Sequence, residues 1–252
     1  MNFKNYLIPS SLEMAHEGLI NGGKIIAGGA FSHTSKANVD LLVDISKLNL
    51  KYINEGDDFI EIGAMTTLSE IQENKLLNSR FNNIFEKCFS KILGIQIRNV
   101  ATIGGSICGR YGFSDVITTL LPLNPILKFY NYGEITLNEY LSLNIREDIL
   151  EKIIIKGSGK AAFSCIRNSQ GSFSTLNCSI AIINNKVNIA VGSRPQVAKM
   201  VSVDYRDNIK EVQESILRSI REIELSSNKT ATKAYRERVV NALVERCLKE
   251  VI

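Results

Sequence analysis

Apolar and polar positions recur along this chain with two periods, and the changes of period mark its elements. Residues 10–21 have helical spacing, with Leu12, Ala15 and Leu19 on one face and Ser10 or Ser11 placed to cap the first turn. Residues 24–27, 40–45 and 59–62 are short runs rich in branched side chains, which predict strands. Residues 67–73 predict a helix opened by a capping box, because Thr67 and Glu70 stand three apart. Residues 83–93 predict another helix. Residues 116–121 predict a further helix, stopped by Pro122 and Pro125. Strands are then expected at 126–130, which runs into the turn Asn131-Tyr132-Gly133-Glu134, and at 152–156.

Gly157-Ser158-Gly159-Lys160 is a flexible junction, and a domain boundary is placed there. Beyond it, residues 161–166, 175–183 and 186–192 predict three antiparallel strands, with Asn184-Asn185 as a tight turn. Residues 208–221 and 232–251 are helical in period, with Val239, Ala242, Leu243 and Cys247 as apolar positions of the second. The expected fold class is α+β. Residues 1–157, split near residue 54, form one domain, and residues 160–252 form a small domain of antiparallel sheet plus helices.

Composition narrows the chemistry. The 252 residues carry a net charge of +4, from 30 basic and 26 acidic side chains, without the concentrated basic stripe that nucleic-acid binding needs. No apolar run is long enough to span a bilayer, and residues 1–9 lack the apolar core of a signal peptide. Cys88, Cys108, Cys165, Cys178 and Cys247 are dispersed, with no C-x-x-C pair. Neither a disulfide framework nor a zinc or iron–sulfur site is expected, and a reducing cytoplasm fits best. His33 has no visible Asp or Cys partner and reads as a turn residue; His16 reads as a helix-surface residue. No catalytic residue and no metal site are assigned.

The residues with the most chemical content are two double glycines. One closes Ile25-Ile26-Ala27-Gly28-Gly29-Ala30-Phe31-Ser32, the other closes Arg98-Asn99-Val100-Ala101-Thr102-Ile103-Gly104-Gly105-Ser106. Glycine permits positive φ and lets a ligand approach the peptide N–H groups closely. Successive N–H groups turned one way hold an anion such as a pyrophosphate. Two such turns point to a long, bent anionic ligand gripped at two places, which describes a dinucleotide; the alternative is a pair of ordinary tight turns. Neither Gly-x-Gly-x-x-Gly nor Gly-x-x-x-x-Gly-Lys-Ser/Thr occurs, so neither a Rossmann nor a P-loop site is supported.

The second segment, followed by Ser114-Asp115 and a Leu-rich run, resembles the FAD-binding subunit of the molybdenum hydroxylases, the xanthine dehydrogenase family. Ala27-Gly28-Gly29 is similar to the family's Ala-Gly-Gly motif, and Ile62-Gly63-Ala64-Met65-Thr66 to its Ile-Gly-Ala-x-Thr segment. Ile189-Ala190-Val191-Gly192, Arg194-Pro195 and Ala234-Tyr235-Arg236 resemble its closing signatures.

The resemblance implies an FAD site built from Ile25, Ile26, Ala27, Gly28, Gly29, Ala30, Phe31 and Ser32 on one side. Thr102, Ile103, Gly104, Gly105 and Ser106 approach from the other, with the Thr102 and Ser106 hydroxyls as donors. Asp115 occupies the family's carboxylate position and suits sugar hydroxyls; its other reading, with Ser114, is a helix cap. Leu150 aligns with a residue that packs on the flavin, or is core.

The resemblance also implies a molybdenum-cofactor subunit and a 2Fe-2S subunit as partners, with electrons leaving to NAD or another acceptor. A relative that has lost FAD and serves as a scaffold, and a stand-alone FAD oxidase, are the rival readings. Ala30 and Phe31 stand where many members carry polar residues, Ser106 where Asn is common, Tyr111-Gly112 where Ser-Pro is frequent, and Ser164 where many have Lys. These departures imply a weaker grip on FAD and a shifted flavin potential. Arg167 matches a family arginine or is an ion-pair partner.

Overall fold

The N-terminal stretch builds a small parallel sheet against one helix. β1 (Asn2–Leu7) leads to α1 (Leu12–Ile20), and the chain continues through β2 (Lys24–Ile26) to β3 (Asn38–Asp44). The strand order is β1-β3-β2, with both pairings parallel. This computed structural model describes residues 2–31, 37–205 and 208–252, so Ser32 and His33 lie outside the described residues. Ser11 is the N-cap of α1, accepting from the Met14 N–H at 3.2 Å. The buried positions of α1 are Ala15 and Gly18, whereas Leu12 and Leu19 are half-buried. A Cβ on Gly18 would come within 2.9 Å of Leu7, so small residues let the helix lie close on the sheet.

The middle of the chain forms a five-stranded antiparallel sheet of order β4-β5-β8-β6-β7. Its strands are β4 (Ile53–Glu55), β5 (Phe59–Gly63), β6 (Ile126–Phe129), β7 (Gly133–Thr136) and β8 (Leu150–Lys156). Between β5 and β6 lie α2 (Leu68–Glu73), α3 (Lys75–Arg80), α4 (Ile84–Phe89), α5 (Ile95–Arg98), α6 (Ile103–Cys108) and α7 (Asp115–Leu120). α8 (Leu137–Ser142) connects β7 towards β8. Leu77, Phe81, Ile84, Phe85 and Phe89 share one buried cluster with Ile60, Ile62, Ile153 and Ile155 of the sheet. The capping box at Thr67 and Glu70 is present, and Thr136 with Glu139 makes the same box for α8. The helix expected at 83–93 is shorter. Asn82 and Asn83 take φ of 55° and 58° before it, and Leu93 takes 46° after it, so the backbone turns left-handed at both ends.

The last part is an antiparallel meander, β9 (Lys160–Arg167), β10 (Ser174–Ile183), β11 (Lys186–Gly192) and β12 (Lys199–Asp204), followed by α9 (Ile209–Ile220) and α10 (Lys233–Val251). Asn184 and Asn185 both have positive φ, 49° and 58°, which gives a two-residue loop the twist that a hairpin requires. One face of this sheet, through Ala161, Phe163, Ala181 and Ala190, completes the central core. The other, through Leu176, Cys178, Ile180 and Ile189, packs on α9 and α10. On α10 the buried stripe is Arg236, Val240, Leu243, Val244, Cys247, Leu248 and Val251; Ala242, expected inside, is exposed. No described helix is long and apolar enough to cross a membrane.

Candidate functional site

The two glycine segments, far apart in the chain, are pressed together. An added Cβ on Gly28 would fall 1.5 Å from the Val100 carbonyl oxygen and 3.2 Å from Thr102 Cγ2. Only a hydrogen at Gly28 lets these backbones meet. Gly29 then takes φ +70°, a conformation that turns the loop and that other residues rarely adopt.

The second segment corrects the sequence reading. Gly104 and Gly105 are not a turn but the start of α6, where Thr102 is the N-cap and its Oγ1 accepts from the Gly105 N–H at 3.1 Å. The two glycines also have different duties. The Gly104 N–H donates to the Ala64 carbonyl at 2.9 Å, and a Cβ there would lie 2.7 Å from that same oxygen. Gly104 therefore fits α6 against the chain leaving β5. Gly105 is exposed, and a Cβ on it would meet only Thr102 Oγ1, at 3.0 Å. Gly104→Ala is accordingly expected to lower the melting temperature of the ligand-free protein. Gly105→Ala should leave it level or raise it, because alanine favours a helix over glycine by about 1 kcal/mol. Thermal denaturation of the two apo variants checks the ordering, which reverses if Gly105 is the packing glycine.

Where the segments meet, the protein forms an open-sided cavity of about 930 Å³, within the range of small-molecule sites. Of the expected site residues, Ile25, Ile26, Ala27, Gly28, Gly29, Ala30, Phe31, Thr102, Gly104, Gly105, Ser106, Asp115 and Leu150 line it. Ile103 does not, because its side chain is fully buried in the central core. Lys24 and Arg146 are the cationic side chains among the described lining residues.

Sequence reasoning missed an aromatic wall. Phe31, Tyr111, Phe113 and Phe173 come from three separate segments and pack on one another along the cavity. Tyr111 and Phe113 are stacked 13° from parallel at 5.2 Å, and Phe113 lies 4.2 Å from Phe173. The pair of aromatics flanking Gly112 was the visible signal; the contributions of Phe31 and Phe173 depend on tertiary contact.

Asp115 is buried and heavily engaged. Its Oδ1 accepts from Ser174 Oγ at 2.6 Å and from Asn177 Nδ2 at 2.5 Å, while Oδ2 pairs with Arg167. Ser114 caps α7, accepting from the Ile117 N–H at 3.1 Å. The carboxylate thus ties α7 to β9 and β10, and Asp115 is also among the residues that line the cavity. Behind it, burial, reinforced by the Asp115 charge, pushes the Cys88 thiol well above its ordinary pKa. Ser106 Oγ donates to the Thr102 carbonyl at 2.9 Å, so donation to a ligand requires its hydroxyl to turn. Leu150 is buried in the core and lines the cavity as well.

These features suit FAD. The exposed Gly105 and the turn at Gly29 leave room beside backbone, which phosphate oxygens need, and the aromatic wall suits a planar ring.

Comparison with known proteins agrees. Residues 1–157 match the family described as the FAD binding domain in molybdopterin dehydrogenase. The chain is 24% identical over 162 residues to the uncharacterized protein YgfM of Escherichia coli K12, covering 63% of this chain and 61% of that protein. It is 30% identical over 129 residues to the nicotinate dehydrogenase FAD-subunit of Eubacterium barkeri, covering 47% and 43% respectively. The matched part therefore spans less than two thirds of either relative. The fold superposes on a chain of carbon monoxide dehydrogenase from Oligotropha carboxidovorans with a TM-score of 0.87 at 17% identity, covering 100% of this chain and 98% of that one. With more than half its length matched, the chain belongs to the family of FAD binding domains in molybdopterin dehydrogenases.

Proposed function

We propose that the chain binds FAD non-covalently in the cavity and works as the electron-transfer subunit of a molybdenum hydroxylase complex. It takes electrons from the iron–sulfur clusters of a 2Fe-2S subunit and passes them to NAD or another acceptor, while a molybdenum-cofactor subunit oxidises the substrate. The observation that carries this reading is the convergence of Gly28 with the Val100–Thr102 backbone on the rim of one cavity.

In this reading residues 1–157 are the FAD-binding domain and residues 160–252 the C-terminal one. Residues 25–31 flank the pyrophosphate on one side, and the start of α6 at Thr102, Gly105 and Ser106 flanks it on the other. The FAD supplies the redox chemistry when bound; the chain's residues bind it, orient it and keep water from its ring. The aromatic wall performs the last task. The Asp115 carboxylate, already anchored by three donors, offers its remaining acceptor positions to sugar hydroxyls rather than to phosphate, which it repels.

The dispersed cysteines, with no C-x-x-C pair, support the reading that the clusters belong to a partner chain. Tagged protein purified from its native host is expected to bring down polypeptides carrying 2Fe-2S clusters and molybdenum. The isolated chain should at most carry electrons from a reduced nicotinamide to a dye. Recovery as a lone chain, without cluster or molybdenum, contradicts the assignment.

A further inference from the structure

We propose that Arg236 is a positioning residue for the cavity: acting through the turn at Ser193, Arg194 and Pro195, it holds Gly112 and so sets the Tyr111–Phe113 pair of the aromatic wall. The consequence for FAD rests on the reading of the cavity given above.

Arg236 is fully buried on the first turns of α10. Its Nε donates to the carbonyls of Thr175 at 3.1 Å and Ser193 at 3.2 Å. Nη1 donates to the carbonyls of Ser226 at 2.8 Å and Ala231 at 2.6 Å. Nη2 reaches Asn228 Oδ1 at 2.8 Å and Thr230 Oγ1 at 3.2 Å. None of these acceptors is a carboxylate. The guanidinium fork is therefore used for its geometry, to bind one strand, one turn and one loop at once.

From Ser193 the linkage runs to the wall. Ser193 has φ +55°, and its N–H donates to the Gly112 carbonyl at 3.0 Å while its own carbonyl accepts from Arg236. Gly112 is clasped from the same turn, since a Cβ there would lie 2.3 Å from the Pro195 carbonyl oxygen. The turn is held a second time by Arg194, whose Nη1 donates to the Glu224 carbonyl at 2.8 Å and whose carbonyl accepts from the Ser226 N–H at 2.8 Å. Gly112 separates Tyr111 from Phe113, the stacked pair that lines the cavity. A turn displaced at Ser193 moves both rings.

The chain contains no tryptophan, so Phe173→Trp, at the edge of the wall and in ring contact with Phe113, provides a single fluorescent reporter. In that background Arg236→Lys and Gly112→Ala are compared with Val244→Ala. Val244 is a buried α10 residue packed on the other face of the C-terminal sheet, so its truncation lowers stability without touching the linkage. Emission of the ligand-free protein is expected to shift to the red, with stronger acrylamide quenching, in Arg236→Lys and Gly112→Ala but not in Val244→Ala. FAD titration of the same variants without the reporter should show roughly tenfold weaker binding and an altered visible circular dichroism of bound flavin for the first two alone. Should Arg236→Lys not fold, Gly112→Ala decides. Unchanged emission in a folded Arg236→Lys, unchanged emission in Gly112→Ala, or an equal change in Val244→Ala overturns the proposal. Failure of the unsubstituted protein to bind FAD overturns the cavity reading instead, and the emission result still judges the linkage.

Discussion

Gly28→Ala is expected to weaken FAD binding by roughly ten- to a hundredfold, the equivalent of about 1–3 kcal/mol of overpacking. The new Cβ would collide with the Val100 carbonyl oxygen at 1.5 Å, and that segment has little freedom to retreat. The Ala101 N–H is bonded to the Ile97 carbonyl at 2.7 Å, and the Ala101 carbonyl accepts from the Leu68 N–H at 2.9 Å. The displacement therefore falls on the loop at 27–31, which the ligand must fit. Fluorescence titration with FAD measures the loss; wild-type affinity in Gly28→Ala means that the meeting of the two segments does not shape the site.

Asp115→Asn is expected to destabilise the protein by about 3–5 kcal/mol, because it leaves the buried Arg167 without a counter-charge. At this chain length that corresponds to a fall in melting temperature of roughly 10 °C. Adding Arg167→Met should recover part of the loss, since an apolar side chain needs no partner there. Denaturant titration of the single and double variants gives the numbers. A variant with full stability but weakened FAD affinity would instead assign Asp115 to the ligand alone.

What was legible in the sequence was what local chemistry decides. Ser11, Thr67 and Ser114 cap their helices because a side-chain oxygen three residues ahead of a free N–H suffices, and Asn184-Asn185 closes its hairpin because asparagine tolerates positive φ. β1 escaped notice because it is an edge strand exposed along nearly its whole length, with Phe3 and Tyr6 about half exposed and no alternation to read. Gly104-Gly105 looked like a turn, although Thr102 two residues earlier is a helix cap; the signal was present and the glycines outweighed it.

The site divides in the same way. Its two strips of sequence were recognisable, but their contact at Gly28 joins residues more than seventy positions apart. The aromatic wall likewise assembles only in the fold, with Phe173 arriving from the β9–β10 hairpin. Ile103 lies within the recognised strip yet points into the core, since neighbours on a helix face different directions.

The most direct test of this account is to strip the purified chain of any flavin and titrate it with FAD. Bound flavin is followed by its visible absorbance and identified after denaturation. The account predicts saturation at one FAD per chain and release of intact FAD. A protein that stays colourless throughout the titration contradicts it.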